Sequence, residues 1–196
     1  MIVHIRPIFG NWDAGFALDK HIISSEFLGN NEAGYPQFNT TRTEVGESVY
    51  QLKYRQDWSQ AVRLADQISR SILPLVDKVG LIVPMPPSVT RSRQPVTEVS
   101  LALGRIAEIP VFEGVLTKTA SPAGATQLKN MNNKADKLTV LEGRFVIEDE
   151  IKNSGSWNVL LIDDLFDTGA SMEAACSALR TYSKLKHIYV VALTWK

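Results

Sequence analysis

Leu160-Leu161-Ile162-Asp163-Asp164-Leu165-Phe166-Asp167-Thr168-Gly169-Ala170-Ser171 decides how this chain reads. The apolar run, already under way at Asn158-Val159, has the pattern of a strand buried on both faces, and it ends on two adjacent carboxylates. Small and hydroxylated residues then lead into a helical pattern from about Ala170 to Tyr182, with Met172, Ala175, Cys176 and Leu179 facing inward. A helix start offers unsatisfied N–H groups and the positive end of a dipole, and together these favour a phosphate. Gly169 lets the backbone come close, and the Thr168 and Ser171 hydroxyls add donors. Carboxylates at the strand end suit vicinal sugar hydroxyls or a hydrated Mg²⁺. The alternative, that Asp167-Thr168 only caps a helix beside a solvated acidic pair, would explain a bare Asp-Thr-Gly. It does not explain strand, acids, hydroxyl–glycine loop and helix in that order, so the segment reads as a ribose-phosphate site.

Outward from this segment the chain alternates strands and helices. Asp57 is placed to cap a helix in which Ala61, Leu64, Ala65, Ile68, Ile72 and Leu75 recur at helical spacing. Gly80-Leu81-Ile82-Val83-Pro84 predicts a short buried strand, with Pro84, Pro86 and Pro87 in its exit loop. Pro95 suits the first turn of a second helix that turns Val96, Val99, Leu103 and Ile106 to one side. Further strands are predicted over 109–116, 138–149 and 187–193, and the polar stretch 117–137, with Ser121-Pro122-Ala123-Gly124, as a long mobile loop. The pattern predicts an α/β fold with a mainly parallel sheet flanked by helices, whose ligands sit beyond the carboxyl ends of the strands. Residues 1–50 differ in texture: Gly29-Asn30-Asn31 and Gly34-Tyr35-Pro36 are loop chemistry, so residues 1–47 read as a small irregular N-terminal cap or lead-in.

Composition excludes several classes. With 196 residues, 44% hydrophobic and 21% charged, the chain is neither disordered nor fibrous. Lys+Arg and Asp+Glu balance at 21 each, so no global electrostatic grip on nucleic acid or an anionic membrane is expected, and direct nucleic-acid binding is not predicted. A lone cysteine, Cys176, leaves no disulfide and no protein zinc site of CxxC type, and reads as an inert buried thiol. No apolar run approaches membrane-spanning length and Met1-Ile2-Val3-His4 opens no signal peptide, so a cytoplasmic location is expected.

The 160–171 segment resembles the phosphoribosyl-pyrophosphate (PRPP) signature of type I phosphoribosyltransferases, with Phe166 bulkier than the aliphatic residue usual there. The resemblance implies that Asp163 and Asp164 bind the ribose 2′- and 3′-hydroxyls. The backbone of Asp167, Thr168, Gly169, Ala170 and Ser171, with the Thr168 and Ser171 hydroxyls, would hold the 5′-phosphate. Members acting on 6-oxopurines are similar in carrying an Asp at the place of Asp167, where it transfers a proton near the base; helix capping is the other reading of Asp167, and both stand. Between Pro86 and Lys134 six basic residues face three acidic ones, a local excess beside the site. Arg91 and Arg93, with Ser88 and Thr90, are candidates for gripping pyrophosphate, whereas Lys118, Lys129 and Lys134 each read singly as solvated surface charges.

A longer resemblance, over 48–195, is to the ComF-like branch of that family. It rests on Tyr50-Gln51-Leu52-Lys53-Tyr54, Val83-Pro84-Met85-Pro86, Thr126-Gln127-Leu128 and Gly143-Arg144-Phe145. Residues 48–196 would then be the phosphoribosyltransferase-like domain. Two departures stand out: the branch's four-cysteine zinc ribbon is missing, and Arg93-Gln94-Pro95-Val96-Thr97 replaces an Arg-Gly-Phe-Asn-Gln segment. The resemblance implies Mg²⁺-dependent transfer of phosphoribosyl from PRPP to a nitrogenous, purine-like acceptor base, in a family that often forms homodimers. The alternative it carries is a PRPP- or nucleotide-binding module without turnover, acting through a protein or DNA-processing partner.

Overall fold

Strand β8, Trp157–Phe166, is the spine of the sheet. In this computed structural model, which describes residues 1–89, 91–120 and 133–196, Val159, Leu160, Leu161 and Ile162 are all buried, so both faces of β8 are covered, as the apolar run requires. β8 pairs in parallel with β5 (Leu81–Pro84) on one side and β9 (Leu185–Trp195) on the other. Next to β9 lies β2 (Ala14–Lys20), again parallel, and the short β1 (Arg6–Pro7) closes that edge antiparallel. The order β1-β2-β9-β8-β5 makes a mainly parallel, five-stranded α/β sheet flanked by helices.

The helices form two groups. α1 (Glu44–Tyr54), α2 (Ser59–Ser71) and α3 (Pro95–Ala107) pack on one another. α5 (Ala170–Leu179) packs with α4 (Lys134–Leu141) and with the small ribbon of β6 (Leu116–Lys118) and β7 (Phe145–Ile147). The connection β8–α5–β9 runs opposite in the sheet to β2–α1–α2–β5, and right-handed crossovers therefore put the two groups on opposite faces. Trp58, not Asp57, is the N-cap of α2 and makes no side-chain cap bond; Asp57, one residue earlier, still ties down the first turn, its Oδ1 accepting from the Ser59 backbone N–H at 3.1 Å and its Oδ2 from the Gln60 side chain at 2.7 Å. Among the described residues no helix is long and apolar enough to cross a membrane.

Four local expectations are corrected. The first forty-seven residues are not irregular: they supply β1 and β2 to the central sheet and then a hairpin of β3 (Ile22–Asn30) and β4 (Pro36–Arg42). The loop chemistry is its tip, where Asn31 Oδ1 accepts from the Ala33 and Tyr35 N–H groups and Gly34 takes φ +80°. The hairpin is exposed on both faces and has no apolar alternation to betray its strands. Over 109–116, only a single bridge from Val111 to Ile82 and the start of β6 are extended. Over 138–149, Leu138 to Leu141 finish α4, which Asn133 caps through the Ala135 N–H, and Gly143 at φ +66° turns the chain into β7. On α3, Val96, Val99 and Leu103 are buried but Ile106 is 41% exposed. The expectations placed on Thr90, on 121–124, on 126–128 and on Lys129 fall outside the described residues.

Leu160 is fully buried in the run of β8 whose two faces are both covered. Leu160→Ala should lower unfolding free energy by about 2–5 kcal/mol in urea titrations. Val62→Ala, at a position 53% exposed, should change it by less than about 0.5 kcal/mol.

Candidate functional site

The parallel strands end on one side of the sheet, and there the chain leaves a cleft of about 430 Å³. The turn after β5 supplies Met85 to Val89, β8 and its exit supply Asp163 to Met172, and Lys196 lies just past β9. Five cationic side chains, Lys53, Arg91, Lys118, Lys137 and Lys196, face three carboxylates, Asp163, Asp164 and Asp167.

The loop between β8 and α5 is built around Gly169. Its φ of +80° belongs to the left-handed region, and a Cβ there would stand 2.9 Å from the Phe166 ring. Phe166, the bulky variation in the motif, packs edge-on against Trp12 at 6.3 Å between centroids, so a wide ring and a glycine occupy the turn together. Gly169 O accepts from the Glu173 N–H at 2.9 Å to start α5, and the Thr168 hydroxyl oxygen lies 3.5 Å from the Ala170 N–H. The N-terminus of α5, flanked by Thr168 and Ser171, opens into the cleft.

The acids are held in a charged mesh. Lys53 Nζ, from the end of α1, is 2.7 Å from Asp164 Oδ2, with both side chains 23% exposed. Burial works against charge on Lys53, but the Asp164 carboxylate outweighs it and holds the ammonium above its usual range. Asp163 Oδ1 accepts from the Asp164 backbone N–H at 2.8 Å. Burial first, and the neighbouring Asp164 charge second, push the Asp163 carboxyl up to about 7, although that hydrogen bond, Lys53 and Lys118 pull the other way. Behind the pair, the Thr194 hydroxyl donates to Asp164 O at 2.9 Å, and His21 Nδ1 lies 3.1 Å from the same hydroxyl. Asp167 Oδ2 is 2.9 Å from Lys137 Nζ and 3.8 Å from Lys196 Nζ.

Of the residues singled out in the sequence, Asp163, Asp164, Asp167, Thr168, Gly169, Ala170, Ser171, Ser88 and Arg91 all line this cleft. Arg93 does not. Its guanidinium is forked onto Glu98 at 3.0 and 2.6 Å and stacked 4.2 Å over Trp58. Arg91 reaches the Lys53 carbonyl at 3.4 Å, holding the turn after β5 near the end of α1. Lys118, read as a surface charge, instead lines the cleft 3.4 Å from Ser88 Oγ, where burial, then Arg144, holds its ammonium below the usual lysine range. Lys134 remains at the surface, paired with Glu173 at 2.7 Å. Sequence reasoning gave no site role to Lys53, Lys137 or Lys196. The Asn133 cap was a readable signal for α4 and hence for a face on which Lys137 must lie. Cys176 is fully buried and its thiol is pushed up to about 12 by burial, as suits an inert core side chain.

No protein-family model and no curated protein matches the chain. Among solved structures it is similar to a UMP synthase from Leishmania donovani, at 14% identity over 88% of this chain and a TM-score of 0.42. It spans only 29% of that longer protein. It is also similar to a hypoxanthine phosphoribosyltransferase from Staphylococcus aureus (12% identity, 71% of this chain and 65% of that one, TM-score 0.42). A third is adenine phosphoribosyltransferase from Saccharomyces cerevisiae, complexed with an imino-altritol bisphosphate and adenine (14% identity, 86% and 83% covered, TM-score 0.41).

The Asp163 carboxyl sets a pH dependence. Folded, it keeps its proton up to about 7, whereas in the unfolded chain it loses it near 3.8. The folded state then binds more protons, so this group lowers stability progressively as pH rises from 3.8 towards 7. Asp163→Asn should gain stability relative to wild type across that window and hold a constant advantage above it, measured by urea unfolding from pH 4 to 8. Parallel curves would show Asp163 already ionised at pH 5.

Proposed function

We propose that the chain binds PRPP in this cleft and transfers its phosphoribosyl group to a nitrogenous acceptor, releasing pyrophosphate. The observation that carries the reading is one continuous run, Asp163 to Ser171, that lines a cleft with a carboxylate pair at one end and a helix N-terminus at the other, amid an excess of cations. A ribose phosphate has that polarity: hydroxyl donors for the carboxylates, and an anionic group for the loop N–H groups and the Thr168 and Ser171 hydroxyls. Ser88 and Arg91 face the cleft from the turn after β5, with Lys118 beside them, and are assigned to the leaving pyrophosphate.

In the reaction the bond from ribose C1 to the pyrophosphate oxygen breaks, a bond from C1 to the acceptor nitrogen forms, and the nitrogen's proton passes to Asp167 as base. C1 takes on oxocarbenium character between these events, so the protein's work is to fix the sugar, answer the charge of the leaving group and exclude water. Among the described residues no three side chains gather as a metal cage. Two hard carboxylates, Asp163 and Asp164, at the rim fit an Mg²⁺ that takes most of its oxygens from substrate and water. Bound there, the ion would neutralise pyrophosphate oxygens.

A second reading, a ComF-like binding module without turnover, is favoured by the placement of Arg93. Its charge is spent on Glu98 and Trp58, so the pyrophosphate side has one cation fewer than the basic excess in the sequence leads one to expect.

Calorimetric titration with PRPP, with and without Mg²⁺, should show saturable, metal-strengthened binding at one site per chain. Asp163→Asn with Asp164→Asn should abolish it while the fold persists. Gly169→Val should do likewise, since it forces a branched side chain into a left-handed turn against Phe166. Wild-type affinity in either variant would remove the assignment it tests. Pyrophosphate release with one member of a panel of purine and pyrimidine bases would establish the transferase, and binding without release from any of them would favour the module.

A further inference from the structure

Lys137 stands out among the charged groups of the cleft because it is a buried lysine paired with an exposed carboxylate. Its side chain is 10% exposed while that of Asp167 is 40% exposed. The ammonium has three donors, and among the described residues one polar partner meets them, Asp167 Oδ2. Nor is the pair needed to dock its helix. Lys134 already ties α4 to α5 through Glu173, and α4 packs along α5 besides.

The loop itself shows what Lys137 answers. Asp167 to Ser171 offers N–H groups and hydroxyls to an anion, yet its single charged side chain is an anion too. A phosphate dianion drawn to this loop would meet the Asp167 carboxylate at close range, in a cleft where repulsion is poorly screened. Lys137 Nζ lies against that carboxylate and lines the same cleft as the loop. Lys196, the other cation nearby, is farther off at 3.8 Å and 64% exposed, so solvent blunts its charge.

Building on the ribose-phosphate reading of the cleft, we propose that Lys137 is a phosphate-binding residue, whose ammonium is held on Asp167 until a phosphomonoester dianion enters the α5 loop and then turns to it. Asp167 and the phosphate thus compete for one cation. Removing the competitor should strengthen phosphate binding, and removing the cation should weaken it. A purely structural ion pair predicts no loss of phosphate affinity when the cation is removed.

The test titrates ribose 5-phosphate, at fixed ionic strength, into wild type, Lys137→Met, Lys137→Arg and Asp167→Asn, with thermal melting to confirm that each is folded. Lys137→Met should weaken ribose 5-phosphate by roughly 10- to 100-fold, the range for a lost charge-assisted hydrogen bond. Lys137→Arg should recover part of that loss. Asp167→Asn should bind about 1.5- to 5-fold more tightly than wild type, on the scale of removing one partly exposed charge. Should Lys137→Met fail to fold, Lys137→Gln, which keeps a polar head beside Asp167, decides instead: affinity weakened by about 10-fold or more supports the assignment, and wild-type affinity overturns it. Equal affinity in wild type and Lys137→Met, or weaker binding in Asp167→Asn, overturns the assignment of Lys137 and leaves the ribose-phosphate reading standing. Failure of wild type to bind either ribose 5-phosphate or PRPP overturns both.

Discussion

Asp163 and Asp164 stand side by side where a buried strand surfaces, and the repulsion between them has to be answered by groups the strand does not own. Charge in a half-buried place is costly unless paired, and two like charges on neighbouring residues compound the cost. The fold meets this by bringing Lys53 from the end of α1, more than a hundred residues away in sequence, to 2.7 Å from Asp164. With that pair made, Asp163 is left as the member that gives way, its carboxyl pushed up to about 7. The placement of α1 is thus tied to the mouth of β8. The carbonyl of Lys53 also receives Arg91, so the turn after β5 is drawn into the same arrangement.

The Gly169 end of the segment follows a different logic, steric rather than electrostatic. Gly169 is required both for its left-handed φ and because the Phe166 ring fills the space a side chain would take. Phe166 in turn rests on Trp12, whose indole N–H donates to Ile8 O in the segment joining β1 and β2. The bulky residue in the motif is thereby explained by its neighbours: it fills the gap between the loop and the N-terminal strands. The first residues of the chain are part of what shapes the site.

What the sequence disclosed and what it hid divide along the same line. The run from Asn158 to Ser171 was legible because every feature is local: apolar continuity gives the strand, Gly169 the turn, the helical pattern after it α5. The parallel sheet was legible from the alternation of such segments. The hairpin of β3 and β4 was hidden because strands exposed on both faces carry no periodicity, and α4 because Thr139-Val140-Leu141 looks extended by residue type although Asn133 starts a helix just before it. The three lysines that answer the three carboxylates were hidden for a deeper reason. Lysine is a surface residue by default, and only long-range packing turns Lys53, Lys118 or Lys137 inward. Arg93 shows the converse, since a local partner, Glu98 five residues on, captured a charge that looked free.

The internal ion pairs also bear on how a polyanion would enter. Lys53 and Lys137 are committed to Asp164 and Asp167, so on the proposed reading an incoming phosphate meets two of the cleft's cations already paired and only the rest, Arg91 and Lys118 among them, without a carboxylate partner. It has to offer each lysine at least what the carboxylate offers and, in return, give the freed carboxylates something to accept. On the proposed reading a sugar with neighbouring hydroxyls and a terminal phosphate would do both, donating to Asp163 and Asp164 while its phosphate takes the loop. Inorganic phosphate or a polynucleotide backbone supplies the charge without hydroxyls placed to compensate the acids. A mesh of paired charges in this way turns general electrostatic attraction into selection for one arrangement of donors and acceptors, which a simply basic groove could not achieve.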